Sequence, residues 1–314
     1  ILCVGVRPEV TLAENAGLKI GELGGIRVDE QMRTSDPSIF AVGDAVEVKD
    51  LVTGKWTWVP LAGVASRQAR VAADAICGRP SQFRGALGTA IVTAFGVTIA
   101  KTGLTEKAAQ RDGVRYQKSY SHSPHHATYY PGAKSIAIKL LFDPQDGRIL
   151  GAQAVGETGV DKRIDIIAMA IQKGGTIFDL EEAELCYAPQ FGSARDPINI
   201  AGFVAGNVCR GDADLAYWED LDHKPQADAP LVVDVRTPGE HAAGAPPRAI
   251  NIPLGELRSR LHELPTDREL WVHCGIGQRA YYAARILKQK GFRVKNLSGG
   301  YVTYRMYRRS KPAD

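Results

Sequence analysis

Apolar residues in this chain fall into short runs that alternate with stretches of helical period, the arrangement of an α/β protein. Leu270-Trp-Val-His273 reads as a buried strand that runs straight into a tight loop. Ala280, Ala283, Ala284 and Leu287 then recur at helical spacing, and Gly291 closes the helix they predict. Leu231–Arg236 reads as a second buried strand, and Ile1–Val6, Ile26–Val28 and Ile39–Val42 as strands near the start, with a short helix over Leu12–Ala16. Leu61, Val64, Ala65, Ala69, Ala72 and Ile76 mark the buried stripe of a helix that ends near Gly78. Thr89–Phe95 and Val97–Ala100 are strand-like, and Ala133–Phe142 pairs with Ile149–Val155 across the turn Asp143–Gly147. Asp161–Lys173 is amphipathic, with Ile164, Ile167, Ala168 and Ile171 on one face and Gly174-Gly175 as its stop.

The chain of 314 residues is long enough for two or three domains, and 44% hydrophobic with 24% charged residues is ordinary for a globular protein. A net charge of +4 is too small to argue for nucleic acid or a membrane surface, and no apolar run reaches the roughly 20 residues of a membrane span. The five cysteines, at 3, 77, 186, 209 and 274, are scattered and show no metal spacing, which predicts free thiols in a reducing, cytoplasmic setting. His122, His125 and His126 lack a surrounding frame of Cys or carboxylate, so no metal is expected there. The opening Ile-Leu-Cys-Val is apolar at once, with no Met and no polar lead-in, which predicts the later part of a larger protein.

The chemistry concentrates at Cys274. It stands at a strand end under a helix N-terminus, where amides from Gly275 to Arg279, including those of Ile276, Gly277 and Gln278, are expected to turn toward the sulfur. Such a nest is an anion site, and a thiol held there is expected as thiolate, with a pKa below the free value of about 8.5. Arg279 adds a fixed positive charge. The same residues leave three other readings open. Gly275-x-Gly277-x-x-Ala280 matches a dinucleotide fingerprint, a phosphatase uses a comparable loop from Cys to Arg, and a buried structural Cys beside a surface Arg is the plainest possibility.

The surroundings choose among them. Leu231-Val-Val-Asp-Val-Arg236, Glu240, Ala249-Ile-Asn-Ile-Pro253, the six-residue loop Cys274–Arg279 and Asn296-Leu-Ser-Gly-Gly-Tyr301 together resemble the single-domain rhodaneses over residues 226–310. That resemblance implies a persulfide on Cys274, with Asp234 and Arg236 supporting the loop; phosphatase loops are one residue longer. One departure is Ala245, where the family often has His after the glycine corresponding to Gly244.

Upstream, Gly5-Val-Arg-Pro8, Thr34 to Gly43-Asp44, Pro60-Leu-Ala-Gly63 and Arg67-Gln68 resemble the flavin-dependent pyridine-nucleotide disulfide reductases. The resemblance implies FAD near Gly43, Asp44, Pro60, Leu61 and Ala62, with Asp44 on the ribityl chain. The N-terminal Gly-x-Gly-x-x-Gly loops and the redox Cys of that family do not occur in these residues. Residues 86–209 are similar to the family's dimerisation domain. Within it, His125–Gly132 and Cys186–Pro197 resemble segments of coenzyme A disulfide and persulfide reductases, in which a Tyr from each reaches the partner's redox Cys; here these are Tyr129 or Tyr130, and Tyr187.

The expected organisation is α/β throughout: the end of an NAD(P)-binding domain (1–33), part of an FAD-binding domain (34–85), an α+β dimerisation domain (86–209), a linker (210–225) and a rhodanese-like domain with a parallel sheet (226–314). The resemblance implies a homodimeric reductase of coenzyme A disulfide, coenzyme A persulfide or polysulfide that uses FAD and NAD(P)H and carries sulfur on Cys274. The alternative is a sulfurtransferase on a reductase-like dimer scaffold.

Overall fold

The computed structural model describes residues 5–222 and 229–310. The chain divides into two compact units, one built on the chain up to Ile91 with Lys101–Leu104, the other on Val92–Ala100 and everything from Thr105. No helix among the described residues is long and apolar enough to cross a membrane.

The first unit contains α1 (Thr11–Asn15), β1 (Ile26–Arg27), β2 (Val46–Lys49), β3 (Trp56–Thr57) and α2 (Ala62–Ile76). β1 and β2 pair in parallel and β3 joins β2 antiparallel. Val28, Met32, Val46 and Val48 pack against Val64, Val71 and Ala72 of α2. Three expectations need correction here. Residues 1–4 of the expected strand Ile1–Val6 lie outside the described residues, and Gly5 and Val6 have no regular structure. Ile39–Val42 makes only an isolated bridge, Phe40 with Arg33. The reason is local: Thr34 and Asp36 side chains take the backbone amides of Asp36 and Ser38 into a turn, and Gly43 at φ +87° breaks the extended run. The strand forms just afterwards, as β2. The buried face of α2 is also rotated: Gln68 lies on it, while Ala69 and Ile76 face outward. Gln68 is buried because its Oε1 accepts the Gly43 N–H at 2.7 Å, a polar anchor that hydrophobic periodicity does not register.

The second unit opens on most of a five-stranded sheet, β4 (Ala90–Ala94), β5 (Val97–Gly103), β6 (Gln117–Pro124), β7 (Ser135–Phe142) and β8 (Ile149–Gly156), in the order β4-β5-β8-β7-β6; Ala90, Ile91 and Lys101–Gly103 group with the first unit. Phe95 and Gly96, both at positive φ, make the two-residue hairpin turn between β4 and β5. Helices α3 (Glu106–Asp112), α4 (Val160–Gln172), α5 (Ile177–Glu182) and α6 (Pro197–Cys209) accompany the sheet. Ile136, Ile138 and Leu140 alternate inward along β7, and α4 buries Ile164, Ile167, Ala168 and Ile171 as its period predicts. β6 is not evident in the sequence, because Gln117–Pro124 is polar on both faces. The strand is held on one side by its antiparallel ladder with β7. On the other side stands the C-terminal part of the chain: Ser298 accepts the Tyr120 N–H, His122 Nε2 lies 2.7 Å from Thr303 Oγ1, and the Tyr217 hydroxyl donates to the Lys118 carbonyl.

That C-terminal part comprises β9 (Leu215–Ala216), α7 (Trp218–Asp222), β10 (Leu231–Asp234), α8 (Pro238–Ala242), β11 (Ile250–Asn251), β12 (Leu270–His273), α9 (Gln278–Gln289), β13 (Val294–Leu297) and α10 (Gly300–Ser310). Its sheet is all parallel, in the order β11-β10-β12-β13-β9. Val233, Leu270 and Val272 pack with Ala280, Ala283 and Leu287 on one face, and Trp218 and Trp271 close the other. The stretch 210–225, expected as a linker, therefore supplies an edge strand and the buried Trp218; its last residues, 223–225, lie outside the described residues. Turn-rich composition hides a strand of two residues.

His122 sits buried in the contact between β6 and α10, and burial pushes its imidazole down to about 4. The unfolded chain takes up a proton near the usual 6.5 that the folded chain refuses, so stability is lost as pH falls from about 6.5 to 4. His273, also lowered to about 4 by burial, adds to the same loss. Thermal melts across this window are expected to show a falling midpoint, and His122→Asn to flatten part of that slope.

Candidate active site around Cys274

β12 ends at His273 and delivers Cys274 beneath the first turn of α9, where the side chain is 1% exposed. The Gly277 N–H donates to the Cys274 sulfur at 3.2 Å. The sulfur thus receives one loop amide, where the sequence suggested a fan of them from Gly275 to Arg279. The loop enters α9 at once: the Gly277 carbonyl already accepts from Tyr281. A second helix N-terminus holds the loop from the far side. Tyr301 and Val302, in the first turn of α10, donate to the carbonyls of Cys274 (2.7 Å) and Gly275 (3.0 Å). Gly300 makes this approach possible. Its φ is +60°, and a Cβ there would lie 2.5 Å from the Cys274 carbonyl oxygen. Asn296 on β13 adds a side-chain hydrogen bond to the Gly277 carbonyl, 3.2 Å.

Below the loop, the fully buried Asp234 accepts from Arg236 Nε and Nη2 at 2.9 and 2.6 Å, and His241 Nδ1 lies 2.9 Å away. Burial pulls the Asp234 carboxyl upward, but Arg236, His273 and His241 outweigh it and hold it below its usual range. The Arg236 guanidinium lies 4.2 Å from the centre of the Tyr301 ring. Asp234 and Arg236 therefore reach the loop through Tyr301, whose N–H caps Cys274. Arg279, at the loop's end, turns both arms to Glu240, at 2.8 and 2.6 Å. That pairing holds Glu240 down at about 2 and raises Arg279. Thr237 and Glu240 form the capping box that starts α8, so the carboxylate is fixed from both sides.

From the sheet domain, Tyr129 and Tyr187 come together with hydroxyl oxygens 3.4 Å apart, and the contact pushes the Tyr129 phenol up. Two links clamp their segments: the Ala127 N–H donates to the Gly192 carbonyl, and the buried Arg163 bridges the His125 carbonyl and the Asp196 carboxylate. Tyr130 instead packs edge-on against His126. A cavity of about 530 Å³ opens between these parts, and its walls include Tyr129, Tyr187, Ile276, Gly277, Gln278 and Tyr281. The cavity thus brings together Ile276, Gly277 and Gln278 of the Cys274 loop, a helix terminus suited to one negative charge, and two phenols able to hold or deliver a proton.

In the first unit, Gly43 and Asp44 form a 3₁₀ turn fastened to α2 through Gln68, and the Asp44 carbonyl accepts from Trp58 at 2.6 Å. The Asp44 side chain is exposed. Leu61, just after Pro60, is the N-cap of α2, and Ala62 and Gly63 open its first turn at the surface. Among the described residues, no group of three or more His, Cys, Asp or Glu is arranged to hold a metal ion. Sequence reasoning did not assign the roles of Gln68, Glu240 and Gly300. For Glu240 the spacing from Thr237 was a legible capping signal, and for Gly300 the Gly-Gly pair after a strand was one.

Residues 1–69 match the pyridine nucleotide-disulphide oxidoreductases, residues 89–197 their dimerisation domain, and residues 217–306 the rhodanese-like domain. The chain is 39% identical over 204 residues to the NAD(P)H sulfur oxidoreductase (CoA-dependent) of Pyrococcus furiosus, covering 65% of this chain and 46% of that protein. It is similar to the solved structure of reduced CoADR-RHD from Bacillus anthracis, with TM-score 0.94 and 46% identity, over 97% of this chain and 55% of that one. A NAD-dependent persulfide reductase from A. fulgidus matches with TM-score 0.87 and 42% identity, over 96% of this chain and 54% of that one. The chain spans about half the length of these relatives. On these matches residues 1–69 and 89–197 belong with the pyridine nucleotide-disulphide oxidoreductases, and residues 217–306 form a rhodanese-like domain.

Proposed function

We propose that the chain is part of an FAD- and NAD(P)H-dependent reductase of coenzyme A disulfide, coenzyme A persulfide or polysulfide, in which Cys274 carries sulfane sulfur. The observation that carries this reading is the shared cavity: the Cys274 loop and the Tyr129–Tyr187 pair open onto one space. The names of the relatives, a CoA-dependent sulfur oxidoreductase and a persulfide reductase, point the same way. Residues 1–33 then close an NAD(P)-binding domain, 34–85 belong to an FAD-binding domain and 86–209 mediate dimerisation. The working protein is a cytoplasmic homodimer that includes a further N-terminal half.

In this cycle the Cys274 thiolate attacks the outer sulfur of a persulfide R–S–SH. A Cys274–S–SH forms, and R–S⁻ leaves with the electron pair of the broken S–S bond. The Gly277 N–H and the N-terminus of α9 hold the negative charge on the sulfur. The outer sulfur then crosses the cavity to an acceptor thiolate of the partner subunit, and Tyr129 and Tyr187 hydrogen-bond the thiolates and supply the proton. Gly43, Asp44, Pro60, Leu61 and Ala62 fit an FAD site: Gly43 leaves room for close approach, the Asp44 carboxylate is free to accept hydroxyl hydrogens, and the surface-facing first turn of α2 suits negative charge on a reduced ring. When bound, FAD supplies reducing equivalents drawn from NAD(P)H.

Cys274→Ser is expected to lower sulfur transfer to cyanide by roughly a thousandfold or more, as loss of a covalent nucleophile does; transfer that survives the change overturns the reading. Tyr129→Phe combined with Tyr187→Phe, in the protein with its N-terminal half, is expected to slow NAD(P)H-dependent persulfide reduction about 10²-fold while sulfur loading on Cys274 persists. Mass spectrometry of the loaded cysteine separates the two steps. Gly300→Ala is expected to cost about 1–3 kcal/mol in a denaturation series and to displace the loop, so that sulfur transfer falls together with stability.

A further inference from the structure

The charges around the sulfur loop cancel in pairs. Arg279 is the loop's own cation, yet both arms of its guanidinium are committed to Glu240. Asp234 and Arg236 likewise cancel beneath the loop. His273, pushed down to about 4 by burial, is neutral at ordinary pH. What remains at Cys274 is the partial positive end of α9, roughly half a charge, the Gly277 amide, and an Arg279 guanidinium that also interacts with the sulfur while Glu240 offsets its charge. That suits one negative charge, the sulfur of Cys274 itself. It leaves no uncompensated cation in the loop for a sulfonate or a second anionic group on an incoming donor.

We infer that Glu240, by neutralising Arg279, sets the sulfur loop against multiply charged donors such as thiosulfate and in favour of donors that bring less charge. The inference rests on Cys274 being the sulfur carrier proposed above. Glu240 is a specificity-determining residue in this scheme: it acts on the donor through the charge of Arg279 and takes no part in bond making. Held at about 2 by Arg279, it stays ionised throughout the range in which the protein is handled, so the discrimination is independent of pH above about 4.

The test compares two donors that deliver the same atom. Thiosulfate gives Cys274–S⁻ + S–SO₃²⁻ → Cys274–S–S⁻ + SO₃²⁻. Methanethiosulfonate gives Cys274–S⁻ + CH₃SO₂S⁻ → Cys274–S–S⁻ + CH₃SO₂⁻, with one charge fewer on the donor. Cyanide then takes the outer sulfur as thiocyanate and restores Cys274–S⁻. Glu240→Gln removes the charge and keeps the side chain's length and its place in the capping box with Thr237. In the full chain, kcat/KM for thiosulfate is expected to rise about tenfold and that for methanethiosulfonate about threefold, so the preference between donors shifts by about threefold. The shift should shrink as salt is raised from about 20 mM to about 500 mM, and Glu240→Asp should keep the preference of the parent chain.

Arg195 also lines the cavity, from the segment before α6, and is present in every protein compared, so the difference between them reads Glu240. Equal changes for both donors, or a preference indifferent to salt, overturn the inference. Should Glu240→Gln fail to fold, the unsubstituted chain decides: its thiosulfate turnover is expected to be nearly flat in salt, and a steep fall would mean that Arg279 acts as a free cation. Failure of the underlying reading looks different, because Cys274→Ser would then still turn over both donors.

Discussion

The functional half of this molecule depends on the meeting of two helix N-termini at one loop. α9 begins where the Cys274 loop ends and offers an amide to the sulfur. α10 begins where β13 ends and offers amides to the carbonyls of Cys274 and Gly275. A buried loop with free carbonyls is costly, since each unpaired group forfeits its hydration. The first turn of α10 meets that demand with N–H groups that have no partner inside their own helix. The arrangement requires the backbone of α10 to come within contact of the loop, and Gly300 is the residue that allows it. Without that contact the cysteine would sit on an irregular and solvated turn.

The same economy governs charge. Asp234 is wholly buried, a placement that disfavours a carboxylate until opposite charge and hydrogen bonds outweigh the loss of water. Arg236 provides both, His241 adds a further contact to the carboxylate, and Arg236 continues to the face of Tyr301 and to the Gly244 carbonyl. The ion pair is therefore structural in its effect, fixing the residue that caps Cys274. Glu240 and Arg279, half-exposed at the loop's rim, form a weaker pair that alters the field an incoming anion meets.

On the other side of the cavity the polar strand β6 connects the two parts of the larger unit. Lys118 is 8% exposed and reaches both Glu106 of α3 and Glu219 of α7, so a charge on the sheet is neutralised from the sheet's own helix and from the C-terminal part together. Burial alone would lower the Lys118 ammonium, and the two carboxylates more than reverse it. With Ser298, Thr303 and Tyr217 also bonded to β6, the Cys274 loop is held at a fixed place relative to Tyr129 and Tyr187.

Much of this was legible in the residues. The Cys274 strand, its loop and the apolar face of α9 followed from periodicity, because a helix packed on a parallel sheet must repeat its small and apolar residues on one side. The pairing of β7 with β8 and the buried face of α4 followed for the same reason. What periodicity missed was polar. β6 has no apolar face and is a strand only because β7 and the C-terminal part satisfy it; Gln68 turns α2 because Gly43 needs an acceptor; β9 is two residues long and exists only beside β13. The sequence by itself determined that a cysteine would stand at a strand end under a helix. Only the tertiary structure decided how many amides reach the sulfur, whether Arg279 is free, and which tyrosine joins Tyr187. These depend on partners distant along the chain, and hydrogen bonds between such partners leave no periodic trace in the order of residues.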